Sequence, residues 1–155
     1  MKITQQDQEK VEAEIRQQTS CFKYSTLEFP LEVIAQMYSE DALYVPDSYA
    51  KPSWDNHQRS QFVEYILLGL PVVVGVTLEK PEGAEIVDGV QRIVTLENFF
   101  ENKLVLEGLT TIKSLNGFTF SKLPFSRQRK FNRVTARLVQ HSNGNSIFPD
   151  KEKHV

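Results

Sequence analysis

The residues best placed to do chemistry are Asp88-Gly89-Val90-Gln91-Arg92. An extended apolar run ends at Asp88-Gly89, and Ile93, Leu96, Phe99 and Phe100 follow at helical spacing. This change of period predicts strand, turn and helix over 85–100. The first amides of a helix have no acceptor inside it, and the helix dipole adds to them, so the junction attracts anions. Arg92 falls in the first turn, where a guanidinium can grip a phosphate bidentately. Asp88 has two readings, a helix cap or a ligand for a metal ion that accompanies phosphates. With Arg92 in solvent, the same residues describe an ordinary capped helix.

Two other stretches carry chemistry-bearing side chains. Trp54 precedes Asp55, the cap of a clear helix whose Phe62, Val63, Ile66 and Leu67 are expected to face inward. An indole at a helix start either stacks on a base or packs into a core. Lys51, just before it, would add a phosphate contact or stay solvated. The 89–92 amides are expected to face a cleft shared with Trp54. Residues 122–137 hold Lys122, Arg127, Arg129, Lys130, Arg133 and Arg137 and no acid. That is +6 locally and −8 elsewhere in a chain of net charge −2. Arg129, Arg133 and Arg137 share one face if the helix runs that far. Such a face tracks a nucleic-acid backbone weakly and without sequence preference, or is a solvated surface.

The elements that must position these residues follow from the rest of the chain. Residues 4–19 form a helix opened by Thr4 with few large apolar residues, hence an arm that is loosely packed or docked on a partner. Phe22 to Phe29 is extended, and Pro30 starts a helix carrying Leu31, Ile34, Ala35 and Tyr38 inward. Leu43–Val45 is a short strand. Val72–Leu78 is a β-branched run typical of a buried strand, and Lys80-Pro81-Glu82-Gly83 returns it into Ala84–Val87. Leu104–Leu106 is a further strand, 125–134 a helix and Ala136–Val139 a last strand. The order is α+β, with a small mixed sheet flanked by helices. The expected organisation is an arm at 1–20, one domain at 21–141 and a flexible tail at 142–155.

Composition narrows the function classes. The chain has 155 residues, 40% of them hydrophobic and 25% charged, which suits one ordinary globular domain. The single cysteine, Cys21, excludes an internal disulfide or a multi-cysteine zinc site and is expected in the core. His57, His141 and His154 lack ligand spacing. There is no Gly-x-Ser-x-Gly elbow and no Walker loop. No apolar run approaches the roughly 18–20 residues that span a bilayer. No signal-peptide core follows Met1, so a cytoplasmic location without membrane partners is expected.

Several segments in order resemble a known family. They are Tyr44-Val45-Pro46-Asp47, Trp54-Asp55, Phe62 through Pro71, Ile86 through Arg92, Leu115-Asn116-Gly117, Leu123-Pro124 and Arg127-Gln128-Arg129. Over about residues 20–140 the chain looks like the N-terminal domain of GmrSD-type modification-dependent restriction enzymes, within the ParB/sulfiredoxin-like superfamily. The resemblance implies a ParB/sulfiredoxin-like fold with a nucleotide or phosphoester site at the Asp-Gly-x-Gln-Arg turn. It implies binding of a nucleoside triphosphate, with Mg2+, through Lys51, Trp54, Asp88, Gly89, Val90, Gln91, Arg92 and Thr95. In the catalytic version Asp88 holds the metal or orients water, Gln91 positions, and Arg92 stabilises phosphate charge. The alternative is a non-catalytic nucleotide- or DNA-binding regulatory module. DNA contacts are expected from Arg127, Arg129, Lys130, Arg133 and Arg137, with a nuclease partner protein and self-association as a homodimer as further expectations.

Three departures from the family pattern bear on that reading. Members place Gln-Arg shortly before the Trp, where this chain has Tyr49-Ala50. Longer relatives continue into further segments and often an HNH nuclease domain, so the chain is read as a short or degenerate member. The sulfiredoxin branch needs a cysteine in the turn, where Val90-Gln91 stand here. Sulfinic acid reduction is therefore not implied.

Overall fold

Val72–Lys80 is the strand from which the architecture is built. The computed structural model describes residues 2–47, 49 and 53–142. In chain order the elements are α1 (Gln5–Thr19), β1 (Tyr24–Pro30), α2 (Leu31–Ser39), β2 (Leu43–Tyr44) and α3 (Asn56–Leu67). They continue with β3 (Val72–Lys80), β4 (Gly83–Asp88), α4 (Val90–Phe100), α5 (Phe125–Arg133) and β5 (Thr135–His141). The sheet order is β1-β5-β3-β4-β2, with β1/β5 and β3/β4 antiparallel and β3/β5 and β2/β4 parallel. The fold is thus a mixed α+β domain with a five-stranded mixed sheet. Helices α2, α3, α4 and α5 pack on one another as a layer, with α4 against β3 and α2 against β1.

Apolar spacing explains most elements. On α4, Ile93, Leu96 and Phe99 are fully buried at the spacing read from the sequence. Leu31, Ile34 and Ala35 do the same on α2. Asp55 caps α3 through a reciprocal pair with Gln58, each side chain accepting the other's backbone N–H. Gly69, at φ 80°, ends that helical stretch in the left-handed conformation. Thr4 and Asp7 cap α1 in the same reciprocal way, yet α1 buries no residue, as expected of an arm.

Two glycines let the hairpin and α4 close on β3. Gly89 caps α4 at φ 97°, and a Cβ there would overlap the Val74 carbonyl oxygen and lie 2.8 Å from the Gly75 Cα. A Cβ on Gly75 would overlap the Asp88 carbonyl oxygen and lie 3.2 Å from the Gly89 Cα. The pairing registers of β3 shift on both sides here, between Val73 and Gly75 toward β5 and between Val76 and Thr77 toward β4. Such bulges bend a strand and re-aim its side chains.

Several expectations are corrected. Leu104–Leu106 is no strand: Leu106 exchanges backbone hydrogen bonds with Phe118 and Gly117, so its polar groups are satisfied without the sheet. Cys21 is exposed, because it lies in the linker after α1, an arm that buries nothing. The inward face of α3 is as expected: Val63 and Ile66 are buried, and the half-buried Phe62 and Leu67 pack against the core. Arg137 lies on β5, since α5 ends at Arg133 and Val134 is extended. The expected tail falls, beyond Ser142, outside the described residues, as does Lys51.

The glycine contact has a measurable consequence. Gly89→Ala adds both overlap and a left-handed alanine, and should cost about 2–4 kcal/mol in urea denaturation. Gly117→Ala, also left-handed at φ 89° but with nothing within 4 Å of its Cβ, should cost only about 1–2 kcal/mol. Equal losses would mean that the close approach of the two backbones contributes nothing.

Candidate functional site

Asp88 ends β4 and Gly89 takes the cap position of α4, so the Asp88 side chain makes no cap bond. The left-handed turn at Gly89 puts Asp88 one residue too early to cap. Asp88 is half-buried beside Tyr49, whose hydroxyl is pushed up from its ordinary value by burial and then by the Asp88 charge. Tyr49 belongs to the core at 8% exposure, and its hydroxyl has no hydrogen-bond partner among the described residues. Where the family resemblance expects a glutamine, this chain therefore has a packing residue.

The remainder of the turn divides by orientation. Val90, Gln91 and Thr95 are buried and point into the protein. Gln91, 2% exposed, accepts the Trp54 backbone N–H through Oε1 at 3.0 Å. Thr95 donates from its hydroxyl to the Gln91 carbonyl at 2.7 Å. These three, with Gly89 against β3, hold the turn in place, and the buried Gln91 Nε2 has no hydrogen-bond partner among the described residues. Of the turn, Arg92 lines a cleft shared with Trp54.

Arg92 faces the other way. Its guanidinium donates to the Val73 carbonyl at 3.3 Å, where β4 has already turned off and left that edge of β3 without a strand neighbour. It lies in a cleft of about 570 Å3 lined by Trp54, Gln58, Gln61, Phe62, Tyr65 and the Pro71–Val73 segment. Trp54 meets Phe62 edge-on at 5.9 Å between ring centres, and the Tyr65 hydroxyl donates to the Pro71 carbonyl at 2.8 Å, closing the far rim. Among the described residues no carboxylate pairs with Arg92. The result is an aromatic wall, the Gln61 amide, a Gln58 whose Oε1 already accepts the Asp55 N–H, and one cation without a carboxylate partner.

The α3 residues of this wall were not singled out from the sequence as a site. The signal was there: Trp54, Gln58, Gln61, Phe62 and Tyr65 follow one helical face. For Mg2+ the donor set is thin. Among the described residues no three His, Cys, Asp or Glu side chains cluster, so an ion at Asp88 would take its other ligands from phosphate and water. Mg2+ accepts such an arrangement of one carboxylate plus phosphates.

The basic residues separate into three places. Arg129, Lys130 and Arg133 surround a hollow of about 460 Å3 with Ser126 and Val134. Arg127 looks instead into an apolar groove beside Leu67, Leu115 and Phe118. Arg137 reaches across to Glu28 at 3.3 Å on the neighbouring strand. The expected face of Arg129, Arg133 and Arg137 loses Arg137, because the chain leaves the helix at Val134, and of the five expected DNA contacts three, Arg129, Lys130 and Arg133, cluster together. No helix among the described residues is long and apolar enough to cross a membrane.

Gln91 is a positioning residue for Trp54. Gln91→Ala should cost about 2–4 kcal/mol, from the void and the lost acceptor, and should red-shift Trp54 emission. Unchanged emission would mean that the indole is held by Phe62 alone. No family model, no curated protein and no solved structure matches this chain.

Proposed function

We propose that the chain is a nucleotide-binding module of a DNA-directed defence system, as its resemblance to the GmrSD-type N-terminal domain implies. One observation carries this reading: an unpaired arginine, Arg92, at the rim of an aromatic cleft. A base stacks against Trp54 and Phe62, the amides of Gln58 and Gln61 meet its polar edge, and Arg92 takes a phosphate. The anion is then held by a side chain rather than by the helix amides. The ParB/sulfiredoxin-like identity of the fold belongs to the same proposal.

Binding is favoured over turnover. Gln91 engages the Trp54 backbone through Oε1, which leaves only its buried Nε2 to donate to a ligand or water. Phosphoryl transfer needs charge neutralised as it develops, and one arginine contributes roughly 10³–10⁵ in rate. Tyr49 fills the place of the family's Gln-Arg pair with a core side chain. Ground-state binding needs fewer donors, and a nuclease partner protein would supply the cutting. Asp88, with Mg2+ and a nucleoside triphosphate, remains the residue on which hydrolysis would depend.

Trp54 is the single tryptophan, so its fluorescence reports the cleft directly. Titration with nucleoside triphosphates, with and without magnesium, should quench it. Arg92→Gln should weaken binding by about tenfold or more, as for loss of a charge-assisted hydrogen bond, and Asp88→Ala should leave binding in place. Magnesium-dependent phosphate release that Asp88→Ala abolishes would replace the module with an enzyme. Absence of quenching by any nucleotide would remove the cleft reading.

A further inference from the structure

We infer that the outer face of α5 is a stacking platform for single-stranded nucleic acid. This rests on the reading of the basic segment as a nucleic-acid contact and names the form of the partner. Phe125, the first residue of α5, is 69% exposed. Arg129 lies over its ring, 4.9 Å from the guanidinium carbon to the ring centre. Beside this pair, Arg129, Lys130 and Arg133 ring the hollow that Ser126 completes. None of these cations meets a carboxylate among the described residues.

An exposed phenylalanine next to unpaired cations has a specific use. Unpaired bases stack on aromatic rings and on guanidinium planes, while lysine and arginine track the phosphates between them. A duplex offers only its backbone to such a surface, because its bases are already stacked. The ring would then add nothing. A lipid surface is the less fitting partner. The other large apolar residue of α5, Phe131, is 1% exposed and held in the core, so the helix has no apolar face to insert. Segment 122–137 carries no acid to repel a polyanion.

The test is fluorescence anisotropy on the full chain, at several salt concentrations. The probes are a labelled oligothymidylate and an oligouridylate, each about 15 nucleotides long, and a duplex of the same length, within the usual site sizes. Single strands should bind about tenfold or more tighter than duplex, and Phe125→Ala should weaken them by about 5- to 100-fold while sparing the duplex. Phe125→Trp should retain the affinity. Arg129→Gln with Arg133→Gln should flatten the log–log salt slope by about 1.4, at roughly 0.7 per cation. A preference for thymidylate or uridylate supports the platform and says whether DNA or RNA occupies it. Equal duplex binding with Phe125→Ala neutral overturns the platform and leaves the cationic contact standing. Failure of the folded chain to bind any oligonucleotide ends both readings. Binding to phosphatidylserine vesicles in place of oligonucleotides overturns the inference as well.

Discussion

The close approach of Gly75 to the Asp88-Gly89 turn is the constraint on which the remainder of the structure depends. Two backbones meet where neither carries a Cβ, and any side chain at either glycine would occupy a carbonyl group of the other strand. The contact brings the β3–β4 hairpin to its end and starts α4 directly against the central strand. Because α4 is also the helix that α2 and α3 pack upon, its position sets the whole helical layer. The register shifts of β3 on either side of Gly75 are the local cost of that arrangement.

The same contact decides which residues of the turn face solvent. With Gly89 pressed on β3, the first turn of α4 rotates Val90, Gln91 and Thr95 inward and leaves Arg92 over the unpaired edge at Val73. A buried glutamine then becomes a structural device. It holds the Trp54 backbone, and the indole in turn forms one wall of the cleft with Phe62. A site with an aromatic wall and a side-chain cation is chemically different from a bare helix terminus. It suits a ligand with both a ring and an anion, whereas helix amides alone accept any small anion.

At the opposite end of the helical layer, packing and charge are separated on one short helix. Phe131 meets Phe99, Phe100 and Phe120 with ring centres 5.1–5.9 Å apart across the four-ring cluster, mostly edge to face. Such pairs each add about 0.5–1.5 kcal/mol beyond burial. That cluster anchors α5 firmly enough for its outer face to carry cations without compensating acids. Repulsion among Arg129, Lys130 and Arg133 is tolerated because all are exposed and screened by solvent.

Local chemistry determined much of this protein in the sequence itself. The capped start of α3, the Val72–Lys80 strand, the hairpin through Pro81 and the helix after Gly89 all follow from apolar period and turn residues. So does the arm at 5–19, which has few large apolar residues and buries none of them within this chain. Tertiary structure decided what period cannot express. Whether Gln91 or Arg92 lines the Trp54 cleft depends on a rotation about α4 set by the glycine contact, and neighbouring residues on a helix differ by about 100°. The strand-like alternation of Leu104, Val105 and Leu106 joins no sheet, and Leu106 bonds a nearby loop instead. Arg137 shares the spacing of Arg129 and Arg133 but leaves their face, because the chain becomes extended at Val134 and Glu28 stands across the strand pair. Spacing tells which side chains would share a face if an element continues, and only long-range contacts determine where it ends and what lies opposite.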